Sequence, residues 1–205
     1  MRLFHNTLSS NGRRVLMVAE QLGLPLDIIE VDLMSESERA RLHEINPNGK
    51  LPVLDDDGFL LWESCAIMQY LCDITPGQQL YPQDARVRAD VNRWLFWGSQ
   101  HFAETVSILS FEHIWKAMIG MGEADPATVA RTEGELRQLG AVLDGHLAQR
   151  DWLVGDALSL ADIGVVSPMM YLEQAKLPLA DFPNLMRWFD RLRQLELWKN
   201  TTPAG

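Results

Sequence analysis

Positive charge is scarce in this chain. Its 205 residues carry 18 Lys and Arg against 28 Asp and Glu, a formal charge of −10. That balance excludes generic binding to a phosphate backbone, so no nucleic-acid partner is expected. No apolar run reaches membrane-spanning length, and no membrane partner is expected either. The opening "MRLFHNTL" lacks a long apolar core before a small-residue site, so no signal peptide is expected. Cysteine is limited to Cys65 and Cys72, both inside one helical pattern. Seven residues of helix rise about 10 Å, too far for a disulfide without unwinding. The thiols therefore stay free, which fits a reducing compartment such as the cytoplasm. The five histidines and the carboxylates show no metal-ligand spacing. No phosphate-loop glycine pattern appears, and there is no internal repeat.

What is present divides the chain in two. Over residues 1–80 strand and helix patterns alternate. "RLFH" is a short strand, and Val15, Leu16, Val18, Ala19 and Leu22 form a helical stripe ended by Gly23. "LDIIEVDL" is a second strand, and "ESERARLHEI" is a polar surface helix. "LPVL" and "FLLW" are strands joined by "DDDG", the chemistry of a hairpin turn. "ESCAIMQYLCDI" is a third helix. This order implies an α/β domain with a small mixed sheet. "TPGQQLYPQD" (75–84) is a breaker-rich linker. From 86 to 205 only helical patterns follow. One runs from about 86 to 118, and a second, opened by Pro126, runs to about 149. A third is announced by a Ser159–Asp162 capping box with Leu158 stapled to Ile163. The last opens at Pro183.

Three stretches carry candidate chemistry. In "NPNGKLPVL" (46–54), Pro52 forces Leu51 to be extended and removes one ladder donor. A kink there leaves the Leu51 amide and carbonyl open to an extended peptide. In "ESCAI" (63–67), Glu63 and Ser64 stand at a helix start. Free amides and a hydroxyl there can hold a carboxylate, while Glu63 can pair with an ammonium group. In "LSSNGRRVL" (8–16), two serines, an asparagine and a glycine lead into a helix with Arg13 and Arg14 in its first turn. Arginine is poorly placed at an already positive helix start. The combination suits an anion, though any of Ser9, Ser10 and Asn11 can equally cap the helix.

Taken together, these motifs resemble the glutathione transferases. "NPNGKLPVL…ESCAIMQYL" is similar to the glutathione-binding half of that family's thioredoxin-like domain. "LVGDALSLADI" and "FPNLMRWFDRL" are similar to motifs of its helical domain. The resemblance covers almost the whole chain. It implies a thioredoxin-like domain over 1–80 and an all-helical domain over 86–205. It implies glutathione as co-substrate and no metal. It also implies a cis-Pro52, Leu51 pairing by backbone with the cysteinyl part, Glu63 and Ser64 holding the γ-glutamyl head, and Lys50 near the glycine carboxylate.

No tyrosine precedes Tyr70 and no cysteine lies near 9–11, so the stretch resembles the serine-type and asparagine-containing, nu-like bacterial and fungal members. On that alignment Ser9 is the thiolate donor, Asn11 a second donor and Ser10 the fallback. A thiol of pKa about 8.5 needs roughly 2.7 kcal/mol of preference for its anion to drop two units. A hydroxyl, a helix start and the two arginines contribute to that. In serine-type relatives an arginine often follows the Glu-Ser pair; here Cys65 stands there, so a clamp on the glutamyl carboxylate is missing or supplied elsewhere.

The second substrate is expected between the two domains, with Trp97, His101 and Phe102 of "RWLFWGSQHFAE" as candidate lining. The implied activity is conjugation of glutathione to an apolar electrophile by a homodimer with a detoxifying role. Glutathione-dependent disulfide reduction and non-catalytic binding of glutathione or an apolar ligand are the alternatives.

Overall fold

The computed structural model describes residues 1–203. Contacts group them into two units, one of Met1–Pro82 with the stretch from Leu195, the other of Gln83–Gln194.

The first unit is built on a four-stranded sheet of order β2-β1-β3-β4, from β1 (Arg2–His5), β2 (Asp27–Glu30), β3 (Val53–Asp56) and β4 (Phe59–Trp62). β1 and β2 are parallel, with His5 beside Glu30. β3 runs antiparallel to both neighbours. The hairpin is set by chemistry read from "DDDG". Asp56 pairs with Phe59, leaving Asp57 (φ 50°) and Gly58 (φ 92°) as a two-residue turn of positive φ. Asp55 accepts the Gly58 N–H at 2.8 Å and forms an ion pair with Arg2 of β1. Those two partners hold its carboxyl below the ordinary aspartate range.

Helices α1 (Ser10–Leu22) and α3 (Ser64–Asp73) pack together, burying Val15, Met17, Val18, Ile67, Met68 and Leu71. α1 ends at Gly23 in the left-handed conformation, as its pattern predicts. α2 (Glu36–Ile45) is anchored by Leu42 alone, consistent with its polar sequence. Both cysteines lie in α3, and no disulfide joins them.

The division at 86–205 departs from the structure at its far end. A last helix, α10 (Glu196–Asn200), packs on α1 in the first unit. The tie is Arg13, whose guanidinium donates to the Trp198 carbonyl at 3.0 Å and the Thr202 hydroxyl at 2.9 Å. It also lies 3.9 Å from the Trp198 ring centre. Positions 204 and 205 of the expected helical segment lie outside the described residues.

The second unit is helical. α4 (Ala85–Trp97), α5 (Ala103–Ser110) and α6 (Lys116–Met118) form one run whose turns widen at Gly98–Phe102 and Phe111–Trp115. α7 (Pro126–Leu147) follows, capped by Asp125 with Pro126 in its first turn. α8 (Leu160–Val166) carries the capping box and α9 (Pro183–Arg193) the Leu185, Trp188, Phe189 and Leu192 face. Asp162 is 0% exposed. Its carboxylate accepts the Ser159 N–H and O–H at 3.0 and 2.9 Å, the Leu153 N–H at 2.9 Å and the Trp188 indole N–H at 2.9 Å. Burial pushes its pKa up, against the pull of those four donors.

Candidate functional site

Strand register brings the three candidate stretches to one end of the sheet in the first unit. Phe4 pairs with Val53, and Val53 with Trp62. One step beyond that row, β1 leads out through His5 toward Ser9. β3 is entered from Leu51–Pro52, and β4 passes into Glu63 and Ser64. Because β3 is antiparallel to β1 and β4, two chain exits and one chain entry meet there.

Ser9 is the N-cap of α1, in extended conformation. Its hydroxyl oxygen accepts the Gly12 N–H at 3.0 Å. A hydroxyl that accepts in this way still has its own hydrogen to donate, so capping and donation do not exclude each other. Ser10 is half-buried in the first helical position, and Asn11 is exposed. No acidic residue occupies the first turn of α1. Arg13 and Arg14 are both buried. Arg13 is committed to α10, as above. Arg14 donates to the Cys65 sulfur at 3.6 Å, bringing a guanidinium to the position where "ESC" departs from the serine-type pattern.

The Leu51–Pro52 peptide bond is cis. The Leu51 amide and carbonyl make no hydrogen bond among the described residues. The approach to them is shaped by buried Asn46, which reading for site residues missed. Its side chain donates to the Lys50 carbonyl at 2.7 Å and accepts the Asn48 N–H at 3.0 Å. The "NPNG" turn chemistry was the available signal. Lys50 is exposed.

Glu63 precedes α3 with φ 71°, a value that costs a non-glycine residue on the order of 1–3 kcal/mol. Its carboxylate makes no cap hydrogen bond. The carbonyl of Glu63 accepts the Ile67 N–H at 3.0 Å, and the first-turn amides of Ser64 and Ala66 have no protein acceptor among the described residues. Ser64 itself is 7% exposed. The end of the sheet therefore offers a hydroxyl at one helix start, open amides at another, an unpaired backbone segment and a free carboxylate.

The helical-unit candidates do not form one lining. Phe102 is 0% exposed and stacks on Trp97 at 5.7 Å, and Trp97 meets Trp94 edge-on at 5.3 Å. Phe102 and Trp94 belong to the core of their unit, and half-buried Trp97 lies against both. His101 is exposed and opens on a groove of about 380 Å³ with Gln100, Glu104, Glu135 and Gln138. His101 and Phe102 are consecutive and point apart, while the i→i+5 turn over Gly98–Phe102 brings Phe102 back beneath Trp97, where the two rings stack.

Comparison with known proteins agrees with this geometry. The family model for the glutathione S-transferase N-terminal domain matches residues 8–74, and that for the C-terminal domain matches 105–196. The chain is similar to the glutathione S-transferase GstB of Escherichia coli K12, 29% identical over 91% of this chain and 89% of that one. It superposes on glutathione S-transferase III in apo form with a TM-score of 0.86 and 29% identity, covering 100% and 97% of the two chains. It also superposes on a glutathione transferase of Phanerochaete chrysosporium solved with oxidised glutathione, with a TM-score of 0.86 and 25% identity over 98% and 92%. With a thioredoxin-like sheet unit, a helical unit and both family domains in order, the chain belongs to the glutathione transferase family of enzymes.

Proposed function

We propose that the enzyme binds glutathione at this end of the sheet, favours its thiolate, and conjugates it to an apolar electrophile. The observation that carries the reading is the convergence of Ser9, Leu51–Pro52 and Glu63–Ser64 through the register of three strands. Each group matches one part of the tripeptide. The Ser9 hydroxyl donates to the sulfur, with Asn11 as a second donor and Ser10 as the fallback. The open backbone of Leu51 pairs with the cysteinyl residue. Glu63 takes the ammonium group, while Ser64 and the first amides of α3 take the γ-glutamyl carboxylate. Lys50 lies toward the glycine carboxylate. Catalysis then rests on placement and on stabilising an anion, with no covalent enzyme intermediate. Phe102, sealed in its core, is removed from the second-substrate set, and Trp97 and His101 stay in it.

The unbridged thiols of Cys65 and Cys72 support a reducing, cytoplasmic compartment, the detoxifying role follows from conjugating apolar electrophiles, and among the described residues no helix is long and apolar enough to cross a membrane. Exposed Phe59 and Trp62 on edge strand β4 support pairing with a second copy. The deciding experiment is paired turnover with a chloronitrobenzene electrophile and with a model disulfide, at saturating glutathione. Conjugation supports the proposal. Disulfide reduction alone assigns the chain to the reductase reading, which exposed Asn11 and the oxidised glutathione held by the Phanerochaete relative favour. Absence of glutathione saturation at millimolar concentration leaves a carrier of apolar ligands.

A further inference from the structure

The first turn of α1 rests on an imidazole. His5, the last residue of β1, is 4% exposed, and its Nδ1 is buried with no hydrogen-bond partner. A Cβ built on Gly12 would stand 2.0 Å from that Nδ1 and 2.6 Å from Cε1 of the same ring. So His5 occupies the volume that a side chain at position 12 would otherwise take, and only glycine fits above it. Gly12 is also the residue whose N–H the Ser9 hydroxyl accepts. The ring, the glycine and the serine hydroxyl thus form one stack from strand to helix cap. An unpaired ring nitrogen in a dry site is costly, so a core built for stability alone favours an apolar ring here.

We propose that His5 is a positioning residue for the thiolate site, setting the height of the Gly12 turn and through it the placement of the Ser9 hydroxyl. This inference rests on the glutathione reading above. It does not make His5 a catalytic residue, because the ring touches the helix and not the sulfur. Burial lowers the pKa of His5, with Glu30 opposing, so the ring supports the turn as a neutral group at pH 7.

The test is the ultraviolet titration of the thiolate of bound glutathione in wild type, His5→Ala, His5→Asn, Gly12→Ala and the double variant His5→Ala/Gly12→Ala. His5→Ala removes the support and Gly12→Ala collides with it. Each is expected to raise the titration midpoint by about one unit, a tenfold loss of thiolate at pH values well below the midpoint. His5→Asn keeps an atom near the Nδ1 position, and the double variant refills part of the space with a methyl group. Both are expected to return toward the wild-type midpoint. A core residue acting through stability alone would move the unfolding midpoint and leave the thiolate titration of the folded, saturated protein in place. The pair Gly12→Ala and His5→Ala/Gly12→Ala decides the matter even if the cavity in His5→Ala prevents folding. If wild type saturates with glutathione while the variants that fold titrate as wild type does, the inference fails alone. If the double variant titrates no lower than Gly12→Ala, it fails alone as well. If wild type itself does not saturate, the glutathione reading falls and takes this one with it.

Discussion

Replacing Ser9 separates two jobs that our reading gives to one oxygen. The hydroxyl accepts the Gly12 N–H as the cap of α1 and, on our reading, donates its hydrogen to the glutathione sulfur. Ser9→Ala removes both. Loss of the cap costs about 1 kcal/mol of stability. Loss of a hydrogen bond to an anion is worth about 1.5–3 kcal/mol, or roughly one to two units in the pKa of the bound thiol. Ser9→Asp separates them. A carboxylate caps as well as a hydroxyl, and at a helix start with no acidic residue in its first turn it gains about 0.3–1 kcal/mol from the dipole. That same carboxylate has no hydrogen to give and repels a thiolate. Stability by urea unfolding is therefore expected in the order Asp at or above Ser, then Ala. Thiolate formation, followed by ultraviolet absorbance against pH, is expected in the order Ser, Ala, Asp. The reasoning collapses if the two orders coincide, because the thiol would then be reporting the integrity of α1 and not a donated hydrogen.

Two further predictions concern the second unit. Asp162→Ala leaves the Leu153 amide, the Ser159 amide and the Trp188 indole as buried donors without an acceptor, at an expected cost of about 3–5 kcal/mol by urea unfolding. Asp162→Asn keeps one oxygen for Leu153 and Trp188 and is expected to cost less, about 1–3 kcal/mol; equal losses would show that the capping box does not depend on its four acceptor contacts. Glu112 accepts from Lys116 at 2.8 Å and from the Asp125 N–H at 2.7 Å, and these partners hold its pKa below the ordinary glutamate value. A lowered folded-state pKa contributes stability that is present above the unfolded value and lost as pH falls through the folded one. Thermal unfolding of wild type and Glu112→Gln is therefore expected to differ at neutral pH and to converge in acid; a gap that persists unchanged in acid would contradict this.

The sequence was informative wherever a local rule decides the outcome. β1, α2 and β4 fall on the residues of their patterns because strand alternation, polar-helix composition and the Asp-Gly turn each act over a few neighbours. The capping box formed for the same reason: its spacing is fixed by the first turn of the helix it starts. The three candidate stretches were legible as motifs, and register between strands supplied what no motif contains, their meeting at one end. What escaped was decided by partners distant in sequence or by a change of helical phase. Arg13 reads as an arginine awkwardly placed at a positive helix start, because Trp198 and Thr202, some 185 residues on, are invisible from position 13. Trp97, His101 and Phe102 read as one pocket lining because they lie within about a turn and a half, and nothing in "GSQHF" announces that Phe102 is sealed in a core while His101 beside it faces solvent. The pairing of His5 with Gly12 is the instructive case. Each residue alone has an ordinary explanation, a strand-end histidine and a flexible helix start. Only the distance between a ring nitrogen and a missing Cβ makes them a single element. Two contiguous motifs can be complete while the part that sets their height relative to each other is a contact between side chains, one of which is absent.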